Sequence, residues 1–127
     1  MQTLIDYHKI AYEFSKLYYS QMSLGINHAI QLFHPDVICT VNGEEFTGAY
    51  NWLLKFANLG IARFEYMNIT GASQLLNGYI IVTIKGTMKP HVFHQRVTND
   101  GIRFSEFFIL EKNMGRYFIK NYIISTG

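Results

Sequence analysis

The stretch Phe104-Ser105-Glu106-Phe107-Phe108-Ile109-Leu110, continued by Glu111-Lys112-Asn113-Met114-Gly115 and Arg116-Tyr117-Phe118-Ile119-Lys120-Asn121-Tyr122-Ile123-Ile124, decides the fold. Its two halves are rich in aromatic and β-branched residues, which suit a pleated, half-buried surface, and Lys-Asn-Met-Gly between them is a turn signal. The stretch predicts a β-hairpin. A hairpin of this length needs something to pack on, and the longest helical pattern lies far away at the N-terminus. The chain must therefore fold back on itself.

That N-terminal pattern places Leu4, Ile5, Tyr7, Ile10, Ala11, Phe14, Leu17, Tyr18 and Met22 at helical spacings, with Asp6, Lys9, Glu13, Lys16 and Gln21 mostly opposite. It predicts a long amphipathic helix over Thr3 to Met22. Ser23-Leu24-Gly25 interrupts it, and Ile26 to Phe33 reads as a second short helix ended by His34-Pro35, because the residue before a proline is biased out of the helical region. Val37 to Val41 predicts a strand, Asn42-Gly43 a tight turn, and Glu45-Phe46-Thr47 its return, closed by Gly48. Ala49 to Asn58 carries Trp52, Leu53, Phe56 and Ala57 at spacings of a third helix, with Gly60 as its stop. Beyond it the period changes: Ile61 to Thr70 and Gln74 to Met88 predict two strands separated by Gly71-Ala72-Ser73, and a polar connection from Lys89 to Gly101 leads into the hairpin. Helices ahead of a run of strands predict an α+β domain in which a strongly bent antiparallel sheet curls around the first helix.

The chain has 127 residues, a size that fits one domain over 1–127 with a single core. Apolar residues make up 49% and aromatics 16%, which excludes a disordered chain. Nine Tyr and ten Phe are enough that some are expected at an interface or lining a pocket as well as filling the core. A formal net charge of +2 is too mild to demand a nucleic-acid partner. Cys39 is the single cysteine, so no internal disulfide forms and a reducing compartment is favoured; within Val37-Ile38-Cys39 it reads as a small buried hydrophobe. No run of ~18 apolar residues and no charged-then-apolar leader is present, so a soluble intracellular protein with no membrane insertion is expected.

Candidate chemistry is sparse. The five His show no metal-ligand spacing, and there is no phosphate-binding Gly-rich loop and no nucleophile elbow, so no metal and no cofactor is expected. Among ionisable residues, His34 and Asp36 flank the end of the second helix and His94 and Arg96 lie in the polar connection. Glu106 stands among the aromatics of a long strand. Strand alternation puts Phe104, Glu106 and Phe108 on one face, which would partly bury the carboxyl and raise its pKa. Glu106 then reads either as a general base in a cavity or as a carboxylate hydrogen-bonded where two subunits meet. Lys85, Lys89, Arg96 and Arg103, with Phe93 between them, could contact RNA phosphates and a base, or form a solvated hairpin.

Several segments together resemble the nuclear transport factor 2-like domains. Ala11-Tyr12-Glu13-Phe14-Ser15-Lys16-Leu17-Tyr18-Tyr19 is similar to the family's first helix, with its Phe-x-x-x-Tyr-Tyr ending. Ile30-Gln31-Leu32-Phe33, a short strand, and then Asn42-Gly43-Glu44-Glu45-Phe46-Thr47-Gly48 resemble the family's Gly-x-x-Phe-x-Gly turn leading into a third helix. Phe104-Ser105-Glu106-Phe107-Phe108-Ile109-Leu110 resembles its Phe-x-Gln-x-Phe-x-Leu strand, and Arg116 to Tyr122 its last strand. The resemblance covers nearly the whole chain.

The resemblance implies a cone, the cystatin-like roll, with a bent sheet over the first helix, an enclosed cavity and a homodimer through the sheet's open face. On that face it places Phe104, Glu106 and Phe108 or their alternates. It implies a non-enzymatic protein-interaction module of the transport or RNP-scaffold type, cytoplasmic and nuclear, binding Phe-containing short motifs such as nucleoporin repeats. Isomerases and dehydratases share the cone, and in that reading Glu106 is the catalytic residue. In scaffold members, peptides carrying Phe dock beside the first two helices. Phe14 and Phe33 match aromatic residues there, and Tyr117 stands where another Phe is usual. Core packing is the plain alternative for Phe14 and Phe33. Ile5 and Tyr7 fall where the family places an aromatic patch for nucleoporin repeats. The family's Ran-GDP carrier has a Trp-Glu pair before the Gly of the turn. Here Val41 and Asn42 stand there, and Lys89, His91, His94 and Arg96 would repel a basic partner, so dedicated Ran-GDP carriage is not implied.

Overall fold

The structure is a computed structural model that describes residues 6–58, 61–75, 77–90 and 102–126, with the side chains of 58, 61–67 and 89–90 left aside. Helix α1 runs Tyr7–Leu24: it ends two residues beyond the expected Met22, before Gly25 (φ 119°), and it begins after Asp6, which the periodicity placed inside the helix and which instead caps its start by accepting from the Lys9 N–H at 3.1 Å. Its inner stripe is Ala11, Phe14, Ser15, Tyr18, Tyr19 and Met22. The one polar member, Ser15, returns its hydroxyl to the Ala11 carbonyl at 2.7 Å, so the stripe stays satisfied.

The second helix is shorter than expected. Helix α2 (Ile26–Ala29) tightens into a 3₁₀ turn at Ile30–Leu32, and strand β1 begins at Phe33 and runs to Val41. The strand thus includes His34-Pro35, which the sequence reading placed at a helix end. Pro35 is tolerated because the pairing of β1 is irregular between Phe33 and Ile38, where no ladder bond asks for its missing N–H. Strand β2 (Glu44–Thr47) returns along β1, and helix α3 spans Ala49–Asn58 as predicted.

Strands β3 (Ile61–Gln74), β4 (Ile80–Pro90), β5 (Ile102–Asn113) and β6 (Arg116–Thr126) follow. The expected break at Gly71-Ala72-Ser73 lies inside β3. A Cβ on Gly71 would come within 2.8 Å of Thr83 Oγ1, so the glycine marks a close approach of neighbouring strands and not a turn. The turn comes later, where Leu75 N–H bonds the Tyr79 carbonyl at 2.7 Å. Two hairpins use a two-residue turn with positive φ: Asn42 (50°) with Gly43 (86°), and Met114 (52°) with Gly115 (80°).

The strand order is β2-β1-β6-β5-β4-β3. All neighbours are antiparallel except β1 and β6, which are parallel, so the sheet is mixed and not wholly antiparallel as expected. Three irregularities in the β3–β4 pairing and one in β5–β6 add the local twist and bend that curl the sheet over α1. Helix α1 packs on β3 and β4, and α3 on β1.

Alternation along β5 turns Phe104, Glu106, Phe108 and Leu110 inward and Ser105, Phe107 and Ile109 outward. This corrects the assignment of Phe104, Glu106 and Phe108 to a dimer face: all three are buried within one chain under α1. On β6 the inward residues are Ile119, Tyr122 and Ile124. The three-residue step from Ile119 to Tyr122 comes from the irregularity that pairs Ile109 with Asn121 but Leu110 with Ile119. Among the described residues no helix is long and apolar enough to cross a membrane.

Candidate functional site

Inside the cone, Glu106 is only 2% exposed and sits among three tyrosines. Tyr18 and Tyr19 are adjacent on the inner stripe of α1, and Tyr122 arrives from β6 by the shift just described. The Tyr19 hydroxyl donates to Glu106 Oε1 and the Tyr122 hydroxyl to Oε2. The Tyr18 hydroxyl lies 3.2 Å from Oε2 and 3.0 Å from the Tyr122 oxygen, so its single proton serves one of them at a time. Burial pushes the Glu106 carboxyl above the usual carboxylate range, against a lowering by the hydrogen bonds from Tyr122, Tyr19 and Tyr18. Burial, followed by the nearby carboxyl charge, also drives all three phenols upward. The cluster is closed by rings: Phe108 stands 5.8 Å from Tyr18, and Trp52 stacks on Tyr122 at 5.5 Å. It ties α1 to β5 and β6, with every carboxylate oxygen already accepting. A space of about 350 Å³ lined by Tyr12, Ser15, Lys16, Tyr19, Ile69 and Ile84 meets the cluster at Tyr19.

A second feature is open. Between α1, the 3₁₀ turn and the start of β6 lies a groove of about 340 Å³ lined by Ile10, Glu13, Phe14, Leu17, Leu32, Arg116 and Tyr117. Its lining is mostly apolar and includes two opposite charges, Glu13 and Arg116. Phe14 is held from below, its ring 5.9 Å from that of Phe108. Tyr117 is half-buried, with Lys112 Nζ 5.9 Å from its ring centroid. Leu17, at 45% exposed, forms an accessible wall.

The groove joins Phe14 and Tyr117, two of the residues singled out from sequence, and leaves out Phe33. The Phe33 side chain is buried at the start of β1, edge-on to Tyr18 at 6.2 Å and to Tyr122 at 5.8 Å, so it belongs to the core, and its neighbour Leu32 lines the groove instead. Tyr7 is half-buried at the first turn of α1, its ring 4.3 Å from His8. Ile5 and Arg96 lie outside the described residues, as does the side chain of Lys89. Lys85 and Arg103 are exposed together on the outer face of the sheet. Sequence reasoning missed Ile10, Leu17, Leu32, Arg116 and Glu13. The first two were visible only as part of a helical stripe, which does not say which of its members the sheet will cover. Among the described residues no group of His, Cys, Asp and Glu could hold a metal ion.

A sequence model of the nuclear transport factor 2 (NTF2) domain matches residues 10–125. No curated protein matches by sequence. Among solved structures, nuclear transport factor 2 from Cryptosporidium parvum is similar with a TM-score of 0.73 at 21% identity, covering 100% of this chain and 99% of its own. A ketosteroid isomerase-like protein from Erwinia carotovora atroseptica gives 0.74 at 14% identity, covering 97% and 98%. The yeast UBP3-associated protein Bre5 gives 0.71 at 16%, covering 98% of each chain. At these identities the likeness concerns the fold, which a nuclear transport factor, a UBP3-associated protein and an isomerase-like protein share.

Proposed function

The chain belongs to the nuclear transport factor 2 domain family, and from that premise we propose that it is a non-enzymatic protein-interaction module of the transport or RNP-scaffold type, working in cytoplasm and nucleus. Its working surface is the groove along α1, and its ligands are short peptides that insert a Phe ring over Phe14 and between Leu17, Leu32 and Tyr117. The observation that carries this reading is the groove itself: an open apolar floor with rigid aromatic sides, mounted on a helix seated on the sheet. A Phe side chain buries about 150–250 Å² and gains further from ring-to-ring packing, which suits such a floor. The outer face of the sheet, where Ile81, Phe107, Ile109 and Ile123 replace the expected interface trio, is the surface on which a second copy docks.

Titration with Phe-Gly and Phe-Gly-Asp-Phe peptides tests the reading. Binding is expected for at least one peptide and is lost in Leu17→Asp, whose side chain stands at the groove wall. Absence of binding to both peptides by the unaltered protein overturns it.

An isomerase or dehydratase activity is the second reading, favoured by one observation: the Glu106 carboxyl points into the cone. Against it stands the burial of the carboxylate, whose two oxygens are both engaged by tyrosine hydroxyls and which aromatic rings close off. A titration with small apolar ketones, followed by the NMR signals of Tyr19 and Ile84, tests this reading. Perturbation confined to those residues supports it, and unchanged signals remove it.

A further inference from the structure

The outer face of the sheet changes character along its strands. Two rows are largely apolar: Ile81 beside Ile109, and Thr83 beside Phe107 and Ile123. The next rows are polar and basic: Lys85 pairs with Ser105, which pairs with Ser125, and Thr87 pairs with Arg103. These rows line an open pocket of about 420 Å³, which Gly86, Phe104 and Thr126 of the row between them also line.

Lys85 and Arg103 are diagonal neighbours on adjacent strands, a relation that sets side chains about 7–8 Å apart at their bases. Both are exposed, and among the described residues neither has an ion-pair partner. The one acidic residue nearby on β5, Glu106, points through the sheet to the other side. Two like charges so placed repel each other, and an anion between them relieves that repulsion.

The hydroxyls add direction. Thr87, Ser105 and Ser125 share the face with the two cations. Thr126, the register partner of inward-facing Phe104, takes no part: its Oγ1 accepts from Asn42 Nδ2 at 2.9 Å. Two cations and three hydroxyl donors exceed what one carboxylate can use, and they suit a tetrahedral phosphate with three or four acceptor oxygens. The volume leaves room for the group that carries the phosphate. The Lys112, Arg116 and Lys120 cations lie at the opposite end of the β5–β6 hairpin, and Lys120 there is paired with Glu111 at 2.8 Å.

We propose that the pocket framed by Lys85 and Arg103 binds the phosphate group of a nucleotide, free or within single-stranded RNA. The site is separate from the peptide groove, which lies on the other side of the sheet along α1.

The test is an NMR titration of the full chain with inorganic phosphate, with adenosine monophosphate and with a short single-stranded RNA, each repeated on Lys85→Gln/Arg103→Gln. Both residues are exposed, so the double variant keeps the fold, and its unchanged spectrum elsewhere verifies that. Expected are shifts at the amides of Lys85, Arg103, Ser105 and Ser125 and an affinity at least ~10-fold weaker in the double variant. Saturation by the monophosphate without RNA binding identifies a free nucleotide as the source. RNA binding that weakens steeply with salt and is lost in the double variant identifies RNA. Absence of shifts at these four amides with all three probes, or binding that the double variant retains in full, overturns the proposal.

Discussion

Phe14 on α1 and Phe108 on β5 meet with ring centroids 5.9 Å apart, so a residue that lines the groove along α1 is also one that fastens α1 to the sheet. Substitution here confounds two roles. Phe14→Ala is expected to cost about 3–5 kcal/mol of stability by opening a cavity against Phe108, and to weaken peptide binding as a consequence. Leu17→Asp, half-exposed on the same wall, should leave the urea midpoint nearly unchanged and lower peptide affinity at least ~10-fold. If Leu17→Asp binds peptide as well as the unaltered protein while Phe14→Ala does not, the groove is not the docking surface.

The carboxyl of Glu106 holds α1, β5 and β6 together by accepting from the hydroxyls of Tyr19 and Tyr122. Glu106→Leu removes the two hydrogen bonds donated by Tyr19 and Tyr122 and should cost about 2–4 kcal/mol, since a buried hydrogen bond to a charged group contributes about 1.5–3 kcal/mol. Glu106→Gln keeps one acceptor oxygen and should cost about half of that. Urea unfolding of both variants measures the difference. A Leu variant as stable as the parent would mean that the cluster contributes nothing to the fold.

The same carboxyl predicts a pH dependence of definite sign. Its folded pKa is raised by burial above the unfolded value of about 4.3, so its contribution is complete below that value and is lost as pH rises through the folded pKa. Glu111, lowered chiefly by its hydrogen bond from Lys120, works in the opposite sense: its contribution is present above the unfolded value and lost as pH falls. Comparing the parent with Glu106→Gln cancels Glu111, which both proteins share. The parent's advantage over Glu106→Gln should therefore be largest near pH 4 and shrink towards neutrality. An advantage that grows with pH would reverse the assigned direction.

Much of this architecture could be read from the residues, and the misses have physical causes. The hairpin from β5 to β6, the amphipathic stripe of the first helix and the Asn42-Gly43 turn each follow from a local pattern that the tertiary structure does not oppose. Gly71 was misread because a glycine signals either a turn or a close approach, and only the position of Thr83 distinguishes them. The inward direction of Phe104, Glu106 and Phe108 could not be read from alternation, which gives two faces and does not say which one α1 covers. Tyr122 was hidden further by the irregularity beside Ile119, which changes the parity of β6 after its first half. The groove combines Leu17, Leu32 and Arg116 from three elements, and no local pattern links them.

Gly71 and Thr83 supply a direct test of that close approach. A Cβ at 71 would lie 2.8 Å from Thr83 Oγ1, which itself is engaged with Thr70 Oγ1 at 3.0 Å and with the Gly71 carbonyl at 3.4 Å. Gly71→Ala should destabilise by about 1–3 kcal/mol through that overlap. In Gly71→Ala/Thr83→Ala the obstructing oxygen is gone, so the pair should be more stable than the sum of the single changes predicts, by at least ~0.5 kcal/mol. Strict additivity would show that the strands separate freely and that the glycine has no steric role.

The outer sheet face carries the last prediction. Phe107 and Ile123 are register partners on β5 and β6, flanked by Ile81, Ile109 and Thr83, and Ile123 is 43% exposed. Apolar residues gathered at the centre of an open sheet lose hydrating water when a second sheet covers them, at about 25 cal/mol per Å² buried. A lysine placed there keeps its charge in water only if the faces stay apart. Ile123→Lys should therefore shift the protein from dimer to monomer at a concentration where the parent is dimeric, as sedimentation equilibrium measures, while leaving its folded spectrum intact because the side chain points away from the core. The partly covered outward position of Phe107 should respond to Phe107→Lys in the same way, whereas Leu17→Asp on the far side of the sheet should leave the dimer unchanged. A monomeric parent, or an Ile123→Lys variant that remains fully dimeric, would exclude this face as the surface of self-association.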